Sequence, residues 1–422
     1  MSIENVVLEA VSLILWGELL FRSIRMRHYM LVVFLISFSM HYIFPPLYVI
    51  LVGHTTNRYL SVISEGGFIA RIAILLFLSS IYLGLFISKE LVPDSSTLYL
   101  KYKTPTRINY RKSKIILLAI SLFTILLQYN SFSYLLASGL MSDRLIYNQG
   151  KGYLQLFNIA SYFLVFFAIK QYSEGKIKFG YLVIHAIPAF IIYALKLQRG
   201  HSLYPLFFIF IAYAFLNIPR RYLFPLFSLG LLSLLYIAPI TSELRRGLVA
   251  TGELSMKSIS ISEVIPASYA HAELLTAITE DRQLEGDVGE VFWGTIINFI
   301  PRGFFESKPS SLGPVLSAHY TKDSYQYLKK GNHRSSFTTD LLIEGYFYAG
   351  LVGVFLGGLL YFFLINKAWF AICNGDTEYS FLLLPLGLFL LGYTIFFSDL
   401  GNWIGYVFLF YSEYFVIKKC KI

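Results

Sequence analysis

Long apolar runs, separated by mostly short polar connections, recur along most of the chain. A helix needs about 20 residues to cross the roughly 30 Å hydrocarbon core of a bilayer, whereas barrel strands are shorter and alternate apolar with polar positions. The pattern therefore predicts an all-α polytopic membrane protein with about 11 transmembrane helices, within a range of about 10–12. The predicted spans are 5–21, 29–52, 67–88, 114–131, 153–169, 179–196, 203–217, 222–240, 338–364, 380–397 and 404–417.

Composition and charge support this interpretation and set the orientation. The 422 residues are 56% hydrophobic and only 14% charged, which is too little charge for a soluble domain of this size. A net charge of +10 would suggest nucleic acid in a soluble protein, but here the connections predicted to be cytoplasmic hold 19 Lys and Arg, against five in the short external loops. No nucleic-acid partner is expected. The cytoplasmic segments are 22–28, 89–114, 170–178, 217–221, 365–380 and 418–422.

The first predicted span differs from the others in its acidic residues. It carries Glu4, Glu9 and Glu18, and its basic residues follow it, so we expect it to insert with its N-terminus outside. It lacks the basic start of a signal peptide. A pair of prolines, Pro45 and Pro46, interrupts the second span and predicts a kink there.

One connection is far longer than the others. Residues 241–337 form a predicted external loop domain, with helical spacing of apolar positions at Ala270 to Ile278 and Val291 to Ile300. The predicted division is therefore 1–240 with eight transmembrane helices, the external (periplasmic) loop domain 241–337, and 338–422 with three more helices. This segment has ten Lys and Arg against eleven Asp and Glu, so any special arginine in it must act locally.

Arginines at the external ends of spans are the first candidates for chemistry. Arg199 lies in the very short loop after the sixth span, and Arg245 and Arg246 follow the eighth. Each is explained either as an interfacial charge whose side chain reaches out to water, or as a planar fork that binds phosphate oxygens in pairs. The sequence leaves both readings open.

Arg302 stands in the strongest local motif. Pro301 and Gly303 flank it, and Lys308-Pro309 and Gly313 follow, which indicates a rigid, tightly turned backbone that fixes the direction of the guanidinium. A simple turn is the alternative explanation.

Acidic residues introduce the ninth span. Asp340 and Glu344 are four positions apart and so share a helix face, with His333 shortly before them. Helix capping explains Asp340 well and Glu344 poorly, because a carboxylate near the mouth of a bundle is costly unless it faces protein or water. The glycines after Glu344 are sufficiently explained by close helix packing.

Several motifs that mark other functions are absent from the sequence. The chain has no GxxxxGK[ST], HExxH, paired CxxC or GxSxG motif, so ATP-driven transport, zinc chemistry and serine hydrolysis lose support. Glu285 and Asp287 form an acidic pair that surface loops often contain by chance. No metal site and no cofactor are predicted.

Taken together, these features resemble the Wzy-type O-antigen and oligosaccharide repeat-unit polymerases. The resemblance rests on the late external loop, on Arg199-Gly200, on Pro301-Arg302-Gly303 with ten residues between Arg302 and Gly313, and on Glu344-Gly345 opening a glycine-rich span. The architectural likeness covers nearly the whole chain, and the motifs are confined to about 196–205 and 298–358. Members of the family are often drawn with twelve or more spans, which is more than the eleven predicted for this chain.

The resemblance implies a membrane-embedded glycosyltransferase of the GT-C class, in the ligase and polymerase branch. Its substrates would be undecaprenyl-diphosphate-linked oligosaccharides, joined at the periplasmic face of a bacterial inner membrane without metal or cofactor. Membrane lipid and a chain-length-regulator protein are candidate partners. Arg199, Arg302 and Arg245 or Arg246 would bind the substrate diphosphate, and Glu344 or His333 would be the catalytic base.

Two other functions share much of this pattern. A lipid-linked oligosaccharide flippase would be a transporter, but such proteins usually show internal repeats and evenly distributed loops. An O-antigen ligase would share the chemistry and accept a lipid A core.

Overall fold

The structure is a computed structural model of the chain. It describes residues 3–47, 67–88, 110–137, 154–195, 266–280, 287–297, 305, 307–321, 339–374 and 400. All regular elements among these residues are helical. They are α1 (Ile3–Arg25), α2 (Tyr29–Phe38), a π-helical turn (Ser39–Ile43), α3 (Phe68–Ile87), α4 (Tyr110–Ala137), α5 (Leu154–Ser173), α6 (Phe179–Leu195), α7 (Pro266–Glu280), α8 (Val288–Ile296), α9 (Leu312–Thr321) and α10 (Leu341–Asn374).

Within the described ranges, three segments are long and apolar enough to cross a bilayer: Tyr29–Leu47, Phe68–Ile87 and Leu341–Phe370. They fall on the predicted spans 29–52, 67–88 and 338–364. The chain is therefore an α-helical membrane protein.

The other predicted spans have different outcomes. Helices α1, α4, α5 and α6 fall on predicted spans, and the apolar stretches of α4 to α6 are shorter than in the three segments above. Four predicted spans lie outside the described residues: 203–217, 222–240, 380–397 and 404–417.

The chain divides into two compact units. The first contains α1 to α3, α7 to α10 and Leu400, so helices of the predicted external segment group with membrane helices, and α7 packs against the π-helical turn, α3 and α10. The second contains α4, α5 and α6, which pack against one another.

Aromatic contacts fix the relative direction of the core helices in the first unit. Phe34 of α2 packs on Tyr361 of α10 at 4.5 Å between ring centroids, and His28, just before α2, stacks on Trp369 at 5.3 Å. The earlier residue of the first segment, His28, meets the later residue of α10, Trp369, and the later residue, Phe34, meets the earlier one, Tyr361. The helices α2 and α10 therefore run antiparallel. The same directions follow from the predicted threading, in which the second span leaves the cytoplasm and the ninth enters it.

Glycines bring α3 and α10 into close contact. A Cβ on Gly84 would overlap the ring of Phe362, and one on Gly358 would overlap the Ser80 hydroxyl of α3. Small residues allow helix backbones to approach closely where lipid provides no hydrophobic driving force between helices. Close packing thus explains Gly358, as predicted, whereas nothing lies within 4 Å of the Cβ position of Gly350.

Helix α10 changes direction near its start. Ala349 and Gly350 have non-helical backbone angles, and Gly350 has φ +59°, which favours glycine. The first turns therefore fold back, so that a Cβ on Gly353 would overlap the carbonyl oxygen of Gly345. No bend was predicted here from the sequence, in which 338–364 was a single span.

Helix α1 has its polar residues inside and its apolar residues outside. Asn5, Glu9 and Ser12 are buried, whereas Ile3 and Ile14 are 84% and 71% exposed. This arrangement is the reverse of a soluble amphipathic helix, and it suits a helix whose outer face meets lipid.

Candidate functional site

A cluster of ionisable side chains is buried in the first unit. It consists of His41, Tyr42, His271 and Asp340, and we refer to it as the His–Asp cluster. All four are at most 3% exposed. They come from the π-helical turn, α7 and the residue before α10, so the tertiary structure alone assembles them.

Asp340 anchors the cluster to the start of α10. Its Oδ1 accepts hydrogen bonds from the backbone N–H groups of Leu342 (3.1 Å) and Ile343 (3.0 Å), which is the N-cap arrangement. Its Oδ2 accepts a hydrogen bond of 2.5 Å from the hydroxyl of Tyr42. The predicted capping role of Asp340 is confirmed, and the same carboxylate also faces the cluster.

The π-helical turn presents two consecutive cluster residues to the protein interior. Ser39, His41, Tyr42 and Ile43 are all buried, because the wider turn rotates successive side chains less than an α-helix does. The turn directly precedes Pro45 and Pro46, whose missing N–H groups remove α-helical hydrogen bonds to this region. The distortion predicted from the prolines therefore takes the form of a π turn.

His271 completes the cluster from α7. Its ring centroid lies 4.6 Å from that of His41 and 6.2 Å from that of Tyr42. Its Nε2 lies 3.9 Å from Oδ2 of Asp340, which is an electrostatic contact longer than a hydrogen bond. A histidine beside a carboxylate that is itself held in place can accept a proton, because the carboxylate stabilises the imidazolium that forms.

Glu344 lies one helical turn beyond Asp340 and is 1% exposed. Its Oε1 accepts a hydrogen bond of 2.9 Å from the Thr339 hydroxyl, and both of its oxygens lie 3.2 Å from the backbone nitrogen of Leu400, which donates to them. Its carboxylate thus links the start of α10 to a distant part of the chain. Each of its oxygens therefore has a hydrogen-bond donor within the protein.

A second buried charged group holds α1, α3 and α7 together. Arg71 of α3 is 3% exposed, and its Nε lies 3.9 Å from Oε2 of Glu9 in α1. Arg71 also interacts electrostatically with Glu280 of α7, whose Oε1 accepts a hydrogen bond from the backbone N–H of Gly67. The positive charge of a buried arginine flanked by two carboxylates is already balanced. Arg71 is therefore a structural link between helices and a poor phosphate ligand.

Most of the site residues predicted from the sequence lie outside the described residues. They are Arg199, Arg245, Arg246, Arg302 and His333. Glu285 of the acidic pair, which was not predicted as a site residue, also lies outside them. Asp287 is described and caps α8 by accepting from the backbone N–H groups of Gly289 and Glu290. In the described part of the chain, no group of three His, Cys, Asp or Glu side chains is arranged to hold a metal ion.

No role was predicted from the sequence for Arg71, Glu9, His41, Tyr42 or His271. Arg71 and Glu9 had a usable signal, because an ionisable residue inside an apolar run usually faces protein and has a partner. The same signal applies to His41, which lies inside a predicted span. His271 had no local signal, since only the fold brings α7 to Asp340.

Comparisons with known proteins provide no relative for this chain: no family model, curated protein or solved structure matches it. The described fold and site define an α-helical membrane protein with a buried histidine–carboxylate cluster near the start of α10.

Proposed function

We propose that this protein is a membrane-embedded glycosyltransferase of the GT-C class that joins undecaprenyl-diphosphate-linked repeat units. The reaction would occur at the periplasmic face of a bacterial inner membrane, in a chain with eleven spans. The observation that carries the proposal is the His–Asp cluster, because Asp340 lies at the end of the ninth span that is predicted to face outward, and His271 beside it can accept a proton. The Glu344-Gly345 sequence that resembles the polymerases lies directly beside it.

The chemistry requires a base and an anion-binding group. A sugar hydroxyl of the acceptor attacks the anomeric carbon of the donor, the new C–O bond forms, and the bond from that carbon to the diphosphate oxygen breaks. The diphosphate leaves with the electron pair, and His271 takes the hydroxyl proton while the Asp340 carboxylate stabilises the imidazolium that forms. Arg302, with Arg199, Arg245 or Arg246, would stabilise the charge on the departing diphosphate.

Glu344 has a different role in this proposal from the one expected from the sequence. Since both of its oxygens accept hydrogen bonds, we assign it to positioning α10, through Thr339 and Leu400. His333 remains a second candidate for the base.

The first experiment distinguishes the polymerase from its rivals in the organism that carries the gene. Deletion should leave single repeat units attached to the lipid core and remove the polymer. Lipid-linked polymer with uncapped core would instead identify a ligase, and trapped cytoplasmic precursor would identify a flippase.

The second experiment tests the base in purified protein with a lipid-diphosphate oligosaccharide as substrate. His271→Asn should lower turnover by about 10²–10⁴-fold, which is the usual contribution of general acid–base catalysis. His319→Asn is the matched control, because His319 is an exposed histidine of α9 in the same unit. Full turnover in folded His271→Asn protein would remove His271 from the reaction.

The diphosphate-binding arginine has its own variants. Arg302→Ala should shorten or abolish polymer at normal expression, and Arg302→Lys should already be defective because lysine lacks the paired geometry. The loss of one such contact typically costs about 10²–10³ in rate.

A third experiment tests the need for a metal. Activity should persist in EDTA, and a loss of activity that Mg²⁺ restores would make Glu285 and Asp287 candidate metal ligands.

A further inference from the structure

The second unit contains a cavity of about 500 Å³ that the proposed function does not use. It lies among α4, α5 and α6, and its volume is in the range of small-molecule sites. Its polar wall consists of Arg111, Lys114, Gln171 and His185. Its apolar wall includes Ile115 and Ile184, which are 60% and 56% exposed, so this wall continues onto the outer surface of the helices.

The charge of the cavity favours an anion. Arg111 and Lys114 both line it, and none of its lining residues is acidic. These residues belong to segment 89–114, and Gln171 to segment 170–178, both of which the charge pattern predicts to be cytoplasmic. Basic pockets between helices on this side of a membrane bind the head groups of anionic lipids.

An unpartnered polar atom points independently to a ligand. The side-chain oxygen of Gln171 is buried and accepts no hydrogen bond from any residue that the structure describes. Gln171 itself is only 7% exposed. A buried amide in this state costs about 1–3 kcal/mol unless a ligand or water supplies a donor.

Two further groups in the wall can accept hydrogen bonds. Nδ1 of His185 lies 2.5 Å from the carbonyl oxygen of Tyr181, so the neutral ring donates through Nδ1 and has Nε2 as an acceptor. Pro188 lies inside α6 and has no N–H for the carbonyl of Ile184, one turn before it. The cavity thus combines cations for a phosphate with acceptors for hydroxyl groups.

We propose that this cavity binds an anionic glycerophospholipid with a hydroxylated head group, with phosphatidylglycerol as the chemical type. Arg111 and Lys114 hold the phosphate, and Gln171 accepts a hydrogen bond from a head-group hydroxyl. The acyl chains leave along Ile115 and Ile184 toward the lipid. The proposal does not depend on the glycosyltransferase function, because it involves only the second unit.

Binding is measured by native mass spectrometry of delipidated full-length protein, titrated with phosphatidylglycerol, phosphatidylcholine or phosphatidic acid. Phosphatidylglycerol should bind at least about tenfold more tightly than phosphatidylcholine, since each basic residue near an anionic lipid contributes about 1 kcal/mol, or about fivefold. Lys114→Gln should weaken binding by about fivefold, and Arg111→Gln/Lys114→Gln by about 20–30-fold. Lys178→Gln is the matched control, because Lys178 is an exposed lysine between α5 and α6 that does not line the cavity.

Gln171→Leu tests the head group without a change of charge. It should weaken phosphatidylglycerol binding and leave phosphatidic acid binding unchanged, because phosphatidic acid has no head-group glycerol. Thermal unfolding of each variant is first compared with that of the wild type, to show that the variant is folded. Arg111 is exposed, so its substitution leaves the core intact.

Three results would overturn the proposal. They are equal affinity for phosphatidylglycerol and phosphatidylcholine, an equal effect of Lys114→Gln and Lys178→Gln, and full competition by sn-glycerol 3-phosphate at the lipid's own concentration. The last result would identify a site for a soluble phosphate ester.

Discussion

Buried charge is organised differently in the two units of the chain. In the first unit, Arg71 and Glu9 meet across helices that are far apart in sequence, and Tyr42 binds Asp340 in the same way. In the second unit, Lys170 is fully buried but pairs with Glu174 one helical turn away, and Glu174 also contacts Lys176 at 2.7 Å. Long-range pairs define how helices dock, whereas local pairs mainly stabilise one helix and its end.

The two arrangements of buried polar groups suit different roles. Polar groups of the first unit are fixed by several elements at once, as a preorganised reaction site requires. The cavity of the second unit has a buried amide oxygen, on Gln171, that accepts no hydrogen bond from any described residue, which suits the binding of an exchangeable ligand. The following predictions test this contrast by the free energy of unfolding in detergent, from the largest expected effect to the smallest.

The largest effect is expected for Arg71→Gln. The substitution leaves Glu9 buried without its cation, and breaking a buried pair in this way typically costs about 3–5 kcal/mol. The double variant Glu9→Gln/Arg71→Gln should recover most of the loss, because no uncompensated charge remains. A single variant as stable as the wild type would show that the pair does not hold α1 against α3.

Gly353→Ala should cost about 3 kcal/mol, at the upper end of overpacking, because the added Cβ meets the backbone of Gly345 and the backbone cannot move aside easily. Gly180→Ala in α6 is the matched control from the second unit, since nothing lies within 4 Å of its Cβ position. That control should be neutral or slightly stabilising. Equal losses in the two variants would contradict the close approach at the α10 bend.

Tyr42→Phe should cost about 1.5–2 kcal/mol, because the carboxylate of Asp340 loses a buried hydrogen-bond donor. The counterpart in the second unit is Ser121→Ala. Among the described residues, the Ser121 hydroxyl bonds only to the carbonyl of Leu117 in its own helix. This substitution should change stability by less than about 0.5 kcal/mol. A larger loss for Ser121→Ala than for Tyr42→Phe would reverse the contrast between the units.

Lys170→Met should have the smallest effect of the four main substitutions, below about 1 kcal/mol, because its pair with Glu174 is local to one helix. Glu174 keeps Lys176 as a partner, and the methionine fills the space of the lysine stem. If Lys170→Met lowered the free energy of unfolding as much as Arg71→Gln does, local and long-range buried pairs would be equally important in this protein.

Features that depend on neighbouring residues in the chain were predicted correctly from the sequence. The apolar runs at 29–52 and 67–88 predicted helices that the structure contains, and the spacing of Ala270 to Ile278 predicted α7. Asp340 was correctly predicted as a cap, because capping depends only on the next three residues. The bend at Ala349 and Gly350 escaped prediction, since a glycine inside an apolar run fits a straight helix equally well.

By itself, the sequence determined the helical membrane class, because the cost of unsatisfied backbone groups in lipid leaves few alternatives to a helix for each long apolar run. It also determined which helix ends carry basic residues. Only the tertiary structure decided that His41, His271 and Asp340 meet, that Glu344 is bound through both of its oxygens, and that Gln171 faces a cavity. Contacts between distant segments depend on how whole helices pack, and no periodicity within one segment specifies the face that another will meet.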